Sequence, residues 1–214
     1  MADAVTICNL ALSRIGKKAS VTTLTPPDGE EAEACSRFYP LALSSMLDLH
    51  DWAFATKRAV LSELADGVVE KGPWAHAYSV PSDCKRVINL EPGGLDSKLP
   101  KWMKAKPLPI PKKIPFEVVG THFGRVILTD FECAYVRYVC SEPKESQFSG
   151  LFTDALVWLL AAYLAGETVR GDTGFKYVQS CQSQFQSTVQ SAMQQDARQK
   201  HVPRKHVAPW VEAR

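Results

Sequence analysis

The spacing of apolar residues divides the chain into three stretches, helical at both ends and strand-like between. Behind Asp3, whose side chain suits an N-cap, Val5, Cys8, Leu12 and Ile15 recur at intervals of three and four, and Gly16 supplies a stop. Residues 17–27 read as a loop with two closing prolines. Asp28 with Glu31 predicts the start of a second helix, along which Cys35, Phe38, Tyr39, Ala42, Met46 and Leu49 trace one apolar face. Pro40 lies inside that pattern and predicts a kink, or a break into two shorter helices.

From Trp52 the period changes. Residues 54–61, 76–80, 86–90, 116–119, 125–128 and 134–139 are short runs rich in β-branched and aromatic side chains, bounded by Gly, Pro and Asp. Between them, residues 92–115 use proline and lysine repeatedly, which keeps that stretch out of any sheet interior. Helical spacing returns near Phe148. Leu151, Phe152, Ala155, Leu156, Leu159, Leu160, Tyr163 and Leu164 cover more than one face, as in a central helix. Asp172 starts a last helix with a thin apolar stripe of Phe175, Val178, Phe185, Val189 and Met193; its other faces are mostly Gln and Ser.

The order predicts an α+β protein. Residues 1–51 and 143–199 form a helical bundle built from both chain ends, 52–142 an inserted β-rich lobe, and 200–214 an extended, basic C-terminal tail. Composition does not disturb this reading: of 214 residues, 45% are hydrophobic and 22% charged, the balance of an ordinary soluble globular chain. A net charge of +2 argues against a dedicated nucleic-acid binder, which gains most of its affinity from phosphate neutralisation, but allows a neutral wall that DNA slides past. The six cysteines (8, 35, 84, 133, 140 and 181) form no C-x-x-C pair and read as reduced, mostly buried thiols of a protein folded in a cytoplasm. Asp3 stands where a signal peptide carries cations. The longest apolar run, 155–165, falls short of the about 20 residues that a bilayer crossing takes, so neither secretion by a visible signal nor a membrane anchor is expected.

Candidate chemistry is sparse. There is no P-loop, G-x-G-x-x-G, H-E-x-x-H or G-x-S-x-G, and Gly120–Gly124 reads as a hairpin turn. His201 and His206 have no nearby partner to complete a metal site, and His50 reads as the close of a helix. Asp130 and Glu132, two apart near a strand, could share a face as catalytic carboxylates, but solvated strand-end residues look the same; Glu30, Glu31 and Glu33 complement a helix dipole. No catalytic residue, cofactor or metal is expected. Lys98, Lys101, Lys104, Lys106, Lys112 and Lys113, with Trp102 among them, form a basic run open to two readings: a solvated loop, or a surface for DNA or a tail partner. The Gln/Ser faces of the last helix suit either a polar neighbour or solvent. In the tail, Arg204, Lys205, His206 and Trp210 are the candidate anchors for a partner.

Several stretches resemble a family. CNLALSRIGKKASVTTL and EAEACSRFYPLALSSMLDLHDWAFATKRAVL are similar to the start of tail tubular protein A and related head-to-tail adaptors of podoviruses, with their "ALxxIG" helix, "C-x-x-F-Y-P" helix and "W-x-F-A" exit into a strand. The similarity continues through residues 78–84 (YSVPSDC), 116–120, 127–130, 136–139 and the helix FTDALVWLLAAYLAGETV, covering about residues 4–198. The Lys/Pro loop and the tail after Gln199 do not align. The resemblance implies no enzyme but a ring of about twelve copies, closed by head-to-tail contacts, in the tail of a short-tailed phage virion. The ring would bind beneath the portal protein, in part through C-terminal extensions, and present its β lobes to the distal tail nozzle and fibre proteins. Genomic double-stranded DNA would pass through the lumen without sequence-specific binding. It would assemble in the host cytoplasm. A tail-associated peptidoglycan hydrolase, or a DNA-binding head-closure protein, is the alternative.

Overall fold

The computed structural model describes residues 3–18, 20–65, 67–91, 114–122, 124–132, 135–169 and 171–199. The protein is α+β, with helices toward both ends of the chain and strands between. It falls into two compact units, Met1–Leu43 with Phe148–Arg214, and Ser44–Gln147. The division lies inside the second helix, a few residues after Pro40, rather than at Trp52 where the sequence pattern changes.

In the first unit, α1 (Ala4–Arg14) is capped by Asp3, whose carboxylate accepts from Thr6 N–H at 2.8 Å. Gly16 follows with φ +73°, a left-handed conformation that a side chain would strain. Helix α2 (Glu30–Leu49) runs through Pro40 as one element, so of the expected kink or break, no break occurs. Proline removes one backbone donor, and Cys35 and Tyr39 before it and Ala42 and Met46 after it are buried. Asp28 is not its cap either. The helix begins two residues later, with Glu33 N–H on the Gly29 carbonyl at 2.9 Å. The Asp28 carboxylate instead gathers Thr22 N–H (2.7 Å), the Thr22 hydroxyl and Thr23 N–H (3.3 Å), organising the preceding loop.

Helix α3 (Gly150–Thr168), capped by Ser149 on Phe152 N–H at 3.2 Å, is the centre of this unit. Phe152, Leu156, Leu160 and Leu164 are fully buried along it, and α1 and the last helix pack on it. By length and composition α3 could cross a membrane, beyond what its 155–165 run suggested; much of it is buried by protein. The last helix, α4 (Gly171–Gln199), buries Gly174, Cys181, Val189, Ala192 and Asp196. Phe175, expected in its apolar stripe, is 72% exposed. A side chain at Gly174 would run into the Val169 carbonyl of the turn between α3 and α4, so glycine stands there and the Phe175 ring, one position along, faces outward.

The second unit holds two antiparallel sheets. Strands β1 (Thr56–Val60), β7 (Tyr135–Cys140) and β4 (Cys84–Glu91) pair in the order β1-β7-β4; β2 (Ser62–Glu63), β3 (His76–Ser79), β6 (Gly124–Thr129) and β5 (Glu117–Thr121) in the order β2-β3-β6-β5. Phe54 lies in a 3-10 turn, Ala53–Ala55, rather than in the first strand. Gly120–Gly124 does form a hairpin turn, with Thr121 opposite Gly124 and Gly124 at φ +112°. Period-two alternation explains the core: Tyr78 and Ile127 from one sheet meet Val136, Tyr138, Cys84 and Leu90 from the other. The opposite face of the four-stranded sheet is not left to water. Ala77, Val126 and Leu128 are covered by Leu64, Val69 and Trp74, so β6 reads as a nearly continuous buried run.

Candidate functional site

The basic run (Lys101, Trp102, Lys104, Lys106, Lys112, Lys113) and the tail anchors (Arg204, Lys205, His206, Trp210) lie outside the described residues. So does Cys133. Among the described residues three arrangements have chemical content, and none of them rests on the carboxylates singled out from sequence. Asp130 uses a carboxylate oxygen to accept Ala75 N–H at 3.1 Å, closing the entry to β3, and Glu132 is exposed. Among the same residues no three His, Cys, Asp or Glu side chains gather as a metal site.

The first arrangement is a polar node in the β unit. The turn after β3 closes with Cys84 N–H on the Pro81 carbonyl at 3.0 Å, which turns Asp83 toward β1 and β7. One carboxylate oxygen accepts from Lys57 Nζ at 2.7 Å and from Cys140 Sγ at 3.5 Å; the other accepts from Tyr138 OH at 2.8 Å. The Lys57 hydrogen bond holds the Asp83 carboxyl below the usual range, and Asp83 in turn raises Lys57. Burial, then the bond to Asp83, pushes Tyr138 up to about 12. At neutral pH the three groups are therefore an ionised acid, an ammonium and a neutral phenol. General acid–base work needs a group that exchanges its proton near the working pH. This node is a tie across β1, β7 and the turn, and nothing in the local sequence of Lys57 or Tyr138 announces it.

The second is a cleft of about 560 Å³ in the same unit, walled by residues 68–74 and by Glu117, Val119, His122 and Leu128. Trp74 Nε1 donates to Glu117 Oε2 at 3.1 Å, fixing that carboxylate at the rim. Glu70 lines the cleft as well. Sequence reading missed Glu70, Glu117 and Trp74: Glu70 and Trp74 flank a Gly-Pro turn and look like loop, and Glu117 looks like an ordinary residue of the strand expected over 116–119. Both carboxylates are exposed, whereas a general acid at neutral pH depends on surroundings that strip water from it.

The third is the outer surface of α4. Val178, Phe185 and Met193 join the buried positions in one stripe, and every glutamine and serine from Gln179 to Gln195 is exposed. From Tyr177 to Gln195 the helix carries no charged residue over about 28 Å of its length. Ser, Thr and Gln hydrogen-bond without the cost of desolvating a charge, which suits a surface that meets another surface.

No protein-family model matches the chain, and a search of curated proteins finds no significant match.

Proposed function

We propose that the chain is a structural head-to-tail adaptor of a short-tailed phage virion, forming a ring of about twelve copies between portal and tail around the DNA channel. The observation that carries this reading is the charge-free outer face of α4. An exposed helix ordinarily mixes charges of both signs for solubility, whereas interface cores are depleted in charge. Near-neutral net charge supports a lumen that DNA passes without being held, and the similarity of residues 4–198 to podoviral adaptors supports the partners: portal protein, nozzle and fibre proteins, and further copies of the chain.

The test is to place charge on the outer face with Gln179→Glu and Gln190→Glu together, eleven residues apart so that they do not repel one another along the helix. Electron microscopy of wild type mixed with its portal should show rings. The double variant, with helicity unchanged by circular dichroism, should lose most of them; undiminished rings would remove this face from the interface, and no rings from wild type would remove the adaptor reading. A cleft bearing two carboxylates, Glu70 and Glu117, is the place among the described residues that a hydrolase could use, though both are exposed; clearing of peptidoglycan in a zymogram would establish that alternative.

A further inference from the structure

We propose that Cys84 and Cys140 are an oxidisable dithiol that closes into a cross-strand disulfide when the protein meets a low-molecular-weight disulfide. The two residues face each other across β4 and β7. Their pairing is of the non-hydrogen-bonded kind: Ser141 N–H donates to the Asp83 carbonyl at 2.8 Å, one residue outside the pair, while Cys84 N–H is held by Pro81. In such pairs the Cα atoms stand about 4.5 Å apart with the side chains drawn together, inside the roughly 4.4–6.8 Å that a disulfide spans. A bulge follows immediately between Cys84 and Arg86, where strands bend and re-aim side chains.

The two thiols differ in their neighbours. Burial raises Cys84, keeping its proton in place. Both sulfurs are buried, Cys84 at 3% and Cys140 at 1% exposed, so exchange begins when this end of the β4–β7 pairing opens; Cys140 then lies beside Asp83 and the Lys57 ammonium, whose side chains are 38% and 50% exposed. Cys140 thiolate attacks one sulfur of the small disulfide, forming a mixed disulfide and releasing one small thiolate. Cys84, deprotonated in turn, attacks the Cys140 sulfur and expels the second. Two protein thiols become one disulfide and one small disulfide becomes two thiols. The bond staples β4 to β7 and closes the loop of residues 85–139, which includes two strands of the other sheet, β5 and β6. Virion surfaces meet oxidising surroundings after release, where such a staple persists.

The full-length protein is incubated with excess oxidised glutathione, alkylated with iodoacetamide and digested without reduction. The expected product is a linked peptide joining Cys84 to Cys140, with two fewer titratable thiols and a Tm higher by about 8–16 °C on the chain-entropy account, reversed by dithiothreitol. Cys140→Ser should abolish the linkage and the Tm rise, while Cys8→Ser keeps both. Cys8 and Cys35 share a thiol hydrogen bond in the helical unit and are the internal comparison. An unchanged thiol count, or a linkage joining Cys8 to Cys35 in place of Cys84 to Cys140, overturns the proposal, and because the mapping is done on wild type it does not depend on how well any variant folds.

Discussion

Replacing Trp52 tests how the end of α2 is joined to the β unit. The residue is 1% exposed, and its indole N–H donates to the Met46 carbonyl at 2.7 Å. Met46 lies in the last turn of α2, where the final four carbonyls have no helical partner, so the indole supplies a bond that the backbone cannot. His50 meets the ring edge-on at 5.1 Å and Phe54 stacks at 6.2 Å, while the Trp52 carbonyl takes the Thr56 hydroxyl at 2.8 Å. Trp52→Ala removes the packing and leaves a cavity, which costs about 3–5 kcal/mol. At about 2–4 °C per kcal/mol for a chain of this length, Tm should fall by roughly 6–20 °C. Trp52→Phe keeps most of the ring but orphans the Met46 carbonyl, worth about 1–3 kcal/mol. Its Tm should fall by roughly 2–12 °C, less than the alanine variant. Thermal melts followed by circular dichroism at 222 nm measure both. An alanine variant melting within about 2 °C of wild type would refute the assignment, because on this scale that is under 1 kcal/mol for the loss of a fully buried indole.

The Asp83 node predicts opposite losses at the two ends of the pH scale. Its depressed carboxyl contributes stability above the unfolded pKa of about 3.9, lost as pH falls through the lower folded value; the raised Lys57 and Tyr138 contribute below about 10, lost for Tyr138 as pH rises through about 12. Urea midpoints should therefore differ between wild type and Asp83→Asn mainly between pH 5 and 10, by a small amount because solvent screens these half-exposed partners, and a constant difference down to pH 2 would be inconsistent with it. Deleting residues 201–214 should abolish assembly on portal-bearing heads while the remaining protein keeps its melting profile; full assembly of the truncated protein would show that the tail anchors nothing.

What the sequence determined by itself is local. A carboxylate three residues from a free N–H makes Asp3 a cap in any context, Gly124 turns a hairpin because few other residues tolerate its left-handed backbone, and a helix apolar all round, α3, has nowhere to go but the middle of its unit. The α+β class follows from such signals alone. What the tertiary structure decided is which surfaces meet. β7 pairs with β1 and β4, each many residues away, since strands of similar pattern are interchangeable until loops and core volumes choose among them. The start of α4 was set by the turn after α3, whose Val169 carbonyl lies against Gly174; it placed Gly174 inside and Phe175 outside against the order of their hydrophobicity. Asp28 lost its expected place at the helix because loop donors were closer, and Asp83 gained Lys57, Tyr138 and Cys140 from strands that only the fold brings together. Hydrophobic period and capping act over one or two turns of chain, whereas side-chain partnership depends on distances that loop closure and packing fix last.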